Sequence, residues 1–353
     1  MSHPRVALVG ARRVRQGLGP FVARDLAAVG VAVEAVLGTR EASARQAADA
    51  LAPRLGHRPR PYTELARLRT EERLDALVVL SPAATHEAFL RAALDAGLHV
   101  LCEKPLLWGN TGLAARAREI AEAFRARGLL LAENCQWPFT LEAFRALHPG
   151  LPEGPPESFA MHLAPASSGE ECLGDSLSHP LSLLQALAPD PGTARLENVR
   201  AEALSEAALP LPPGTPGEEL RLRFDYVAGA HRVASEVRLV PAAGPPRPAG
   251  YALGPYRAER RIHQPGYRME LAAEGRGVPL PDPLTARIAA FAETLRAVRA
   301  GEPAPDPAPL VHRMEMLETA LAAYRQQAGG RPTRVERPCG APSATDPGSP
   351  SGS

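Results

Sequence analysis

Residues 74–105 read LDALVVLSPAATHEAFLRAALDAGLHVLCEKP, and the fold turns on how this stretch is read. Leu74 to Leu80 is an apolar run of strand length with a single acid near its start. Ser81-Pro82 breaks it, and the spacing beyond Thr85-His86 predicts a helix to about Ala96. Leu98 to Cys102 is a second apolar strand, which delivers Glu103-Lys104-Pro105 at its carboxyl end. Strands that alternate with helices belong to a parallel sheet, and strands buried on both faces read as continuous apolar runs. Ligands of such sheets bind outside the carboxyl ends of the strands.

Lys104 is the only lysine in the chain; the other 39 basic residues are arginine. Arginine keeps its proton and carries a broad planar fork, whereas the lysine ammonium is compact and its pKa falls readily on burial. A lone lysine at a strand's carboxyl end therefore suits proton transfer, or a point charge beside a developing alkoxide. The plain alternative is a chance survivor at a strand end.

Toward the N-terminus, Val6 to Val9 is another wholly apolar strand, ending at Gly10. A helix is expected from about Pro20 to Val29, with Gly30 as its stop. Between them lies GARRVRQGLG, residues 10–19, a glycine-bearing turn without a clean GxGxxG. With Gly10 as the first glycine, Arg12 and Arg15 occupy the other two places. With Gly17 and Gly19 serving instead, the turn has grown by a few residues. A phosphate fits on the helix N-terminus, with Arg12 and Arg13 as added charge. A solvated basic loop is the competing reading. The next strand, Val31 to Leu37, ends at Gly38-Thr39-Arg40, with no acid before Glu41. In dinucleotide folds an acid near this point grips the ribose 2′-hydroxyl and an arginine accommodates a 2′-phosphate, so Thr39 and Arg40 favour NADP over NAD. Helices from Glu41 to Leu55 and from Leu113 to Arg127, and the strand Leu129 to Ala132, complete a dinucleotide-binding domain over 1–134.

The character changes after Phe139. Strands are expected near Ser158–Leu163, Leu196–Leu204, Glu219–Tyr226, Arg232–Val240, Arg257–His263 and Tyr267–Ala272. Several alternate polar and apolar residues, the mark of an antiparallel sheet with one wet face. Short helices at Leu141–Leu147 and Ser178–Leu187, and long ones at Pro283–Ala300 and Ala308–Gln327, complete a second domain over 135–330. The Pro/Gly/Ser-rich tail 331–353 reads as disordered.

A net charge of +1, with 39 acids against 40 bases, gives no reason to expect nucleic acid or an anionic membrane as partner. No apolar run reaches the ~20 residues that span a bilayer, and no signal-peptide core opens the chain. The four cysteines, without CxxC spacing, read as a reduced cytoplasmic set, and ten histidines without paired ligand spacing argue against a metal.

These residues resemble the Gfo/Idh/MocA oxidoreductases. The resemblance rests on Ser81-Pro82-x-x-x-His86, on Gly97-x-His99-Val100-x-x-Glu103-Lys104-Pro105, on Asp175-x-x-x-His179, and on Asp282-Pro283-Leu284 leading into a long helix. It implies a Rossmann domain joined to a mostly antiparallel substrate domain. The implied reaction is NAD(P)-dependent transfer of hydride to or from a secondary alcohol or carbonyl of a sugar, polyol or related small molecule. Lys104, Asp175 and His179 stand where the family keeps its catalytic residues. Gly10, Arg12, Arg13, Gly17, Thr39, Arg40, Ser81, Pro82, His86, Glu103 and Lys104 are then the expected cofactor-binding set, although His86 also reads as a helix cap. Pro180 implies that regular helix starts near Ser178, leaving Asp175 in the lead-in turn. By the same resemblance a homodimer or homotetramer is expected. A non-catalytic dinucleotide-binding regulator on the same fold is the alternative, fed by the altered glycine turn and opposed by the retained lone lysine.

Overall fold

The computed structural model describes residues 3–12, 17–109, 111–189, 192–204, 219–242, 244 and 247–327. Arg13 and the tail 331–353 lie outside the described residues. The apolar runs become a six-stranded parallel sheet in the order β3-β2-β1-β4-β5-β6. Its strands are β1 (Arg5–Val9), β2 (Ala32–Leu37), β3 (Arg60–Tyr62), β4 (Ala76–Val79), β5 (His99–Cys102) and β6 (Leu131–Glu133). The strand order reverses between β1 and β4, the point at which open α/β sheets leave a crevice for a ligand. Helices α1 (Gly19–Ala28), α2 (Glu41–Leu55), α3 (Leu65–Glu71), α4 (His86–Ala96) and α5 (Leu113–Ala126) make the crossovers.

A 3₁₀ turn at Trp137–Thr140 and α6 (Leu141–Leu147) lead into the second half. There, β7 (Ser158–Leu163), β8 (Arg195–Leu204), β9 (Glu219–Ala228), β10 (His231–Leu239), β11 (Gly250–Leu253), β12 (Tyr256–His263), β13 (Arg268–Ala273) and β14 (Arg276–Leu280) form one sheet. Its order is β14-β13-β12-β11-β7-β10-β9-β8. Every neighbouring pair is antiparallel except β10 with β7. Two short helices, α7 (Glu171–Ser176) and α8 (Ser178–Leu187), follow β7, and α9 (Pro283–Arg299) and α10 (Ala308–Gln327) end the described chain.

The alternation in β9 does what its period dictates. Leu220, Leu222, Phe224 and Tyr226 are buried on one face, while Arg221, Arg223 and Asp225 take the other. One helix departs from the division read in the sequence. Although α9 lies in the stretch 135–330, its Leu284, Ile288, Phe291 and Leu295 share a core with Val6 and Leu8 of β1 and Val22 and Leu26 of α1. It therefore covers a face of the first sheet, and the chain closes by returning to its own start. The strands β3, β11 and β14 were not expected either. One edge strand of each sheet carries a proline, Pro61 in β3 and Pro279 in β14. Proline lacks the N–H that a central strand needs, so it reads as loop in a sequence and is tolerated at an edge.

Candidate active site

The rim at the carboxyl ends of β1, β4 and β5 is built from close backbone contacts. Gly10 follows β1 with φ +75°, and a Cβ there would stand 2.7 Å from the Ser81 Cα beyond β4. Only glycine allows both that conformation and that approach. At the start of α1, a Cβ on Gly19 would stand 1.9 Å from the Ala11 carbonyl oxygen. Of the two later glycines, Gly19 thus performs the close helix–strand packing, while Gly17 is a half-buried residue of the lengthened turn. Arg12 is exposed beside it. Across the crevice, Thr39 and Arg40 are exposed at the tip of β2, and Ser43 caps the following helix by accepting from the Arg40 N–H at 3.2 Å.

His86 corrects an expectation. It is fully buried, with Nδ1 at 2.9 Å from the Pro105 carbonyl oxygen and Nε2 at 2.8 Å from that of Ser81. Neither a helix-cap bond nor a free atom for a cofactor remains. The residue staples the loop after β4 to the Glu-Lys-Pro loop after β5. Burial lowers its pKa while the two carbonyls pull against it, and a neutral ring, with one N–H, donates to only one of them at a time. Ser81 and Pro82 stay on the open rim, where the Ser81 hydroxyl meets that of Thr85 at 2.7 Å.

The loop carrying Lys104 is pinned on every side. The Glu103 N–H donates to Val79 O at 2.8 Å, and the Leu106 N–H donates to the buried Glu133 carboxylate at 2.9 Å. Glu133 also accepts from the buried Arg313 guanidinium of α10, and Arg287 of α9 donates to its carbonyl at 3.0 Å. The Glu103 carboxyl accepts from the Asn134 amide, and burial pushes its pKa up. Glu103 is therefore a framework residue between two strand ends.

Lys104 reaches out of this frame, and its ammonium donates to the backbone carbonyl of Asp175. That carbonyl belongs to α7, which presses Gly174 against the Trp108 ring so closely that a Cβ there would stand 2.8 Å from it. The Asp175 carboxylate accepts from Ser167 through Oδ2 and does not bond to His179. Asp175 lies inside α7 and not in a lead-in turn, although helix does restart at Ser178 as Pro180 implied, after the single turn residue Leu177. His179 sits in the first turn of α8 with its ring edge-on to Trp137, centroids 6.5 Å apart. Its Nδ1 is enclosed without a partner, its Nε2 makes no hydrogen bond either, and the residue as a whole is half-buried. Its pKa lies well below the usual 6.5, first because of burial, then because of the fields of Lys104, Arg260 and Arg313. An imidazole held neutral, with both nitrogens unpartnered, is equipped to accept a proton.

The crevice, the glycine approaches and the exposed Arg40 fit a dinucleotide. Comparison with known proteins agrees. A family model described as the Gfo/Idh/MocA oxidoreductase family, NAD-binding Rossmann fold, matches residues 4–135. A dTDP-3,4-didehydro-2,6-dideoxy-α-D-glucose 3-reductase from Streptomyces violaceoruber is 32% identical over 65% of this chain and 68% of its own length. The chain belongs to that oxidoreductase family.

Similarity to an NADP(+)-dependent D-xylose 1-dehydrogenase of Haloferax volcanii reaches 37% identity, over 32% of this chain and 37% of the relative. Among solved structures, a UDP-N-acetylglucosamine 3-dehydrogenase from Acidithiobacillus ferrooxidans superposes with a TM-score of 0.66 at 19% identity, covering 93% of this chain and 99% of the other. A 3-ketoreductase from Actinomadura kijaniata, in complex with NADP, gives 0.65 at 20% identity, covering 91% and 98%. Both share the two-sheet fold. This oxidoreductase thus pairs an NAD(P)-binding Rossmann sheet with the mostly antiparallel sheet described above. No helix among the described residues is long and apolar enough to cross a membrane.

Residues not singled out from the sequence complete the site: Glu133, Arg313, Asn134 and Arg260. For Arg260 a signal was present. It shares strand parity with buried Ala258 and half-buried Ile262, so alternation alone points an arginine inward. Glu133 and Arg313 are 180 residues apart in the chain and carry no local signal of their pairing.

Proposed function

We propose that this oxidoreductase moves hydride between NADP(H) and a secondary alcohol or carbonyl carbon of a sugar or polyol, with Lys104 and His179 at the reacting oxygen. The observation that carries this reading is the meeting of the lone lysine with α7 and α8 at the strand ends, beside a neutral histidine with both nitrogens unpartnered. A bound nicotinamide supplies the hydride acceptor or donor. His179 takes the hydroxyl proton at Nε2 during oxidation and returns it during reduction. The Lys104 ammonium stabilises the charge on the same oxygen. Asp175 keeps Oδ1 free of Ser167 and receives a second substrate hydroxyl there. Gly10, Gly17 and Arg12 face the pyrophosphate, Ser81 and Pro82 flank the bound dinucleotide, and Thr39 with Arg40 receives the 2′-phosphate.

Relatives named for reducing or oxidising sugar carbons support the substrate class. The reading extends to a homo-oligomer, checked by light scattering, and to a cytoplasmic setting, supported by the free, buried thiols of Cys102, Cys135 and Cys172. The direct test is titration with NADPH and NADH by fluorescence, followed by hydride transfer at the nicotinamide absorbance across a sugar and polyol panel. Tight NADPH binding and turnover of at least one member are expected. Failure to bind either dinucleotide overturns the proposal.

A further inference from the structure

Arg260 and Arg247 are the cleft cations that the chemistry above leaves unused. Arg260 projects from β12 toward the 3₁₀ turn, with its guanidinium carbon 5.5 Å from the centre of the Trp137 ring. The guanidinium and the His179 imidazole therefore flank one indole, within the span of a single hexose derivative. The contact sets the guanidinium charge against the ring and uses none of its N–H donors. Those donors are poorly served: Nη2 donates to the Arg247 carbonyl at 3.2 Å, and Nε is buried with no partner. Arg247 reaches only carbonyl oxygens, those of Ala242 at 3.1 Å and Ala164 at 3.4 Å, and its Nε is likewise buried and unpaired.

Neither arginine forms an ion pair among the described residues. The carboxylate whose field reaches Arg260, Asp282, caps α9 by accepting from the Leu284 N–H at 3.0 Å. The one whose field reaches Arg247 is Asp175, held by Ser167. Burial lowers the pKa of both guanidinium groups, the signature of charge withdrawn from water without a full counter-ion. A buried cation in that state is completed by an anion that arrives with the ligand.

We infer that the substrate is a sugar bearing an anionic substituent, a carboxylate or a phosphate, and that Arg260, supported by Arg247, is the residue that selects it. The inference rests on the sugar-oxidoreductase reading and decides a point which that reading leaves open. A neutral pentose or hexose offers the guanidinium hydroxyl acceptors but no countercharge, whereas an anionic one supplies both. Arg260 acts here in recognition and takes no proton.

The test titrates the protein with D-glucose, D-glucuronate, D-glucose 6-phosphate and UDP-glucose, following the fluorescence of its two tryptophans, Trp108 and Trp137. At least one anionic sugar should bind about ten- to a hundredfold more tightly than glucose, the scale of a hydrogen bond to a charged group. Which of the three responds identifies the carboxylate, the phosphate monoester or the nucleotide diphosphate as the source. Arg260→Gln should shrink that ratio to a few-fold, and Arg260→Lys should keep part of it. NADPH titration of each variant reports folding and the cofactor reading separately, and the sugar series is run with and without NADP+. A purely structural Arg260, set against Trp137 for packing alone, leaves the ratio unmoved in Arg260→Gln. That result overturns the inference, as does wild-type protein that binds glucose as tightly as every anionic sugar.

Discussion

The two faces of the eight-stranded sheet treat arginine in opposite ways. On the outward face several guanidinium groups are answered by acids of their own or neighbouring strands. Arg232 pairs with Asp225 at 2.7 Å and Glu197 at 2.5 Å, Arg223 with Glu236 at 2.7 Å, and Arg238 grips the fully buried Glu219 with two bonds of 2.7 and 2.8 Å. On the cleft side, Arg260, Arg247 and Lys104 find backbone carbonyls or nothing. Cross-strand pairs of opposite charge stabilise a sheet, whereas a desolvated, unpaired cation works against folding. The contrast separates charge kept for structure from charge kept for a ligand.

Lys104 should break this comparison most sharply. Loss of one preorganised stabiliser costs about 10²–10³-fold in turnover, so Lys104→Ala should be slowed by that order in single-turnover hydride transfer. Lys104→Arg keeps the charge, but places a broad fork where a compact ammonium stands, and should also be severely slowed. NADPH affinity should hardly change in either. Near-normal transfer by Lys104→Arg would refute the special role of the lone lysine.

That prediction was already legible in the sequence, because one lysine among 39 arginines at a strand end needs no contact map. The first sheet was equally legible: buried parallel strands are continuous apolar runs, and each crossover helix carries its own stops. The chain hid what depends on distant partners. His86 looked like a ligand or a cap until the Glu-Lys-Pro loop was seen folded over it. Glu133 and Arg313 join through packing of α10, and α9 returns to a sheet some 280 residues upstream in the chain. Proline concealed the edge strands β3 and β14, since its local signal is the same in a loop and at a sheet edge.

Arg40, a third kind of arginine, is exposed on the rim and has no ion pair among the described residues. If its partner is the 2′-phosphate, Arg40→Ala should weaken NADPH about ten- to a hundredfold and leave NADH nearly unchanged. Equal loss for both dinucleotides would move Arg40 out of the cofactor set. Stability sharpens the comparison between faces further. Arg238→Ala removes two bonds to the buried Glu219 carboxylate and should cost about 1–3 kcal/mol in denaturant unfolding. Arg260→Gln, which removes an unanswered charge, should leave the unfolding midpoint unchanged or raise it. A loss in Arg260→Gln as large as that in Arg238→Ala would mean the cleft cation is structural after all.

The smallest effect expected is a shift in pH dependence, and it links the two unpaired cleft cations to the base. His179 is neutral first because of burial and then because Lys104, Arg260 and Arg313 face it. Arg313 is answered by Glu133, so the fields of Lys104 and Arg260 are the ones left uncompensated. Removing the charge in Arg260→Gln should raise the His179 pKa toward its ordinary 6.5. The acid limb of kcat/KM reports the base in the free enzyme, so it should move to higher pH in that variant and stay in place in Arg238→Ala. Stability should follow with a defined sign. Between the lowered native pKa and 6.5 the unfolded chain binds a proton that native His179 refuses, so stability falls as pH falls through that window. His86 and His99, both lowered by burial, act in the same direction. Arg260→Gln should therefore lose less stability than the wild type between pH 7 and pH 5. An acid limb that stays fixed in Arg260→Gln would show that burial alone keeps His179 neutral, and the cleft cations would then serve the substrate without tuning the base.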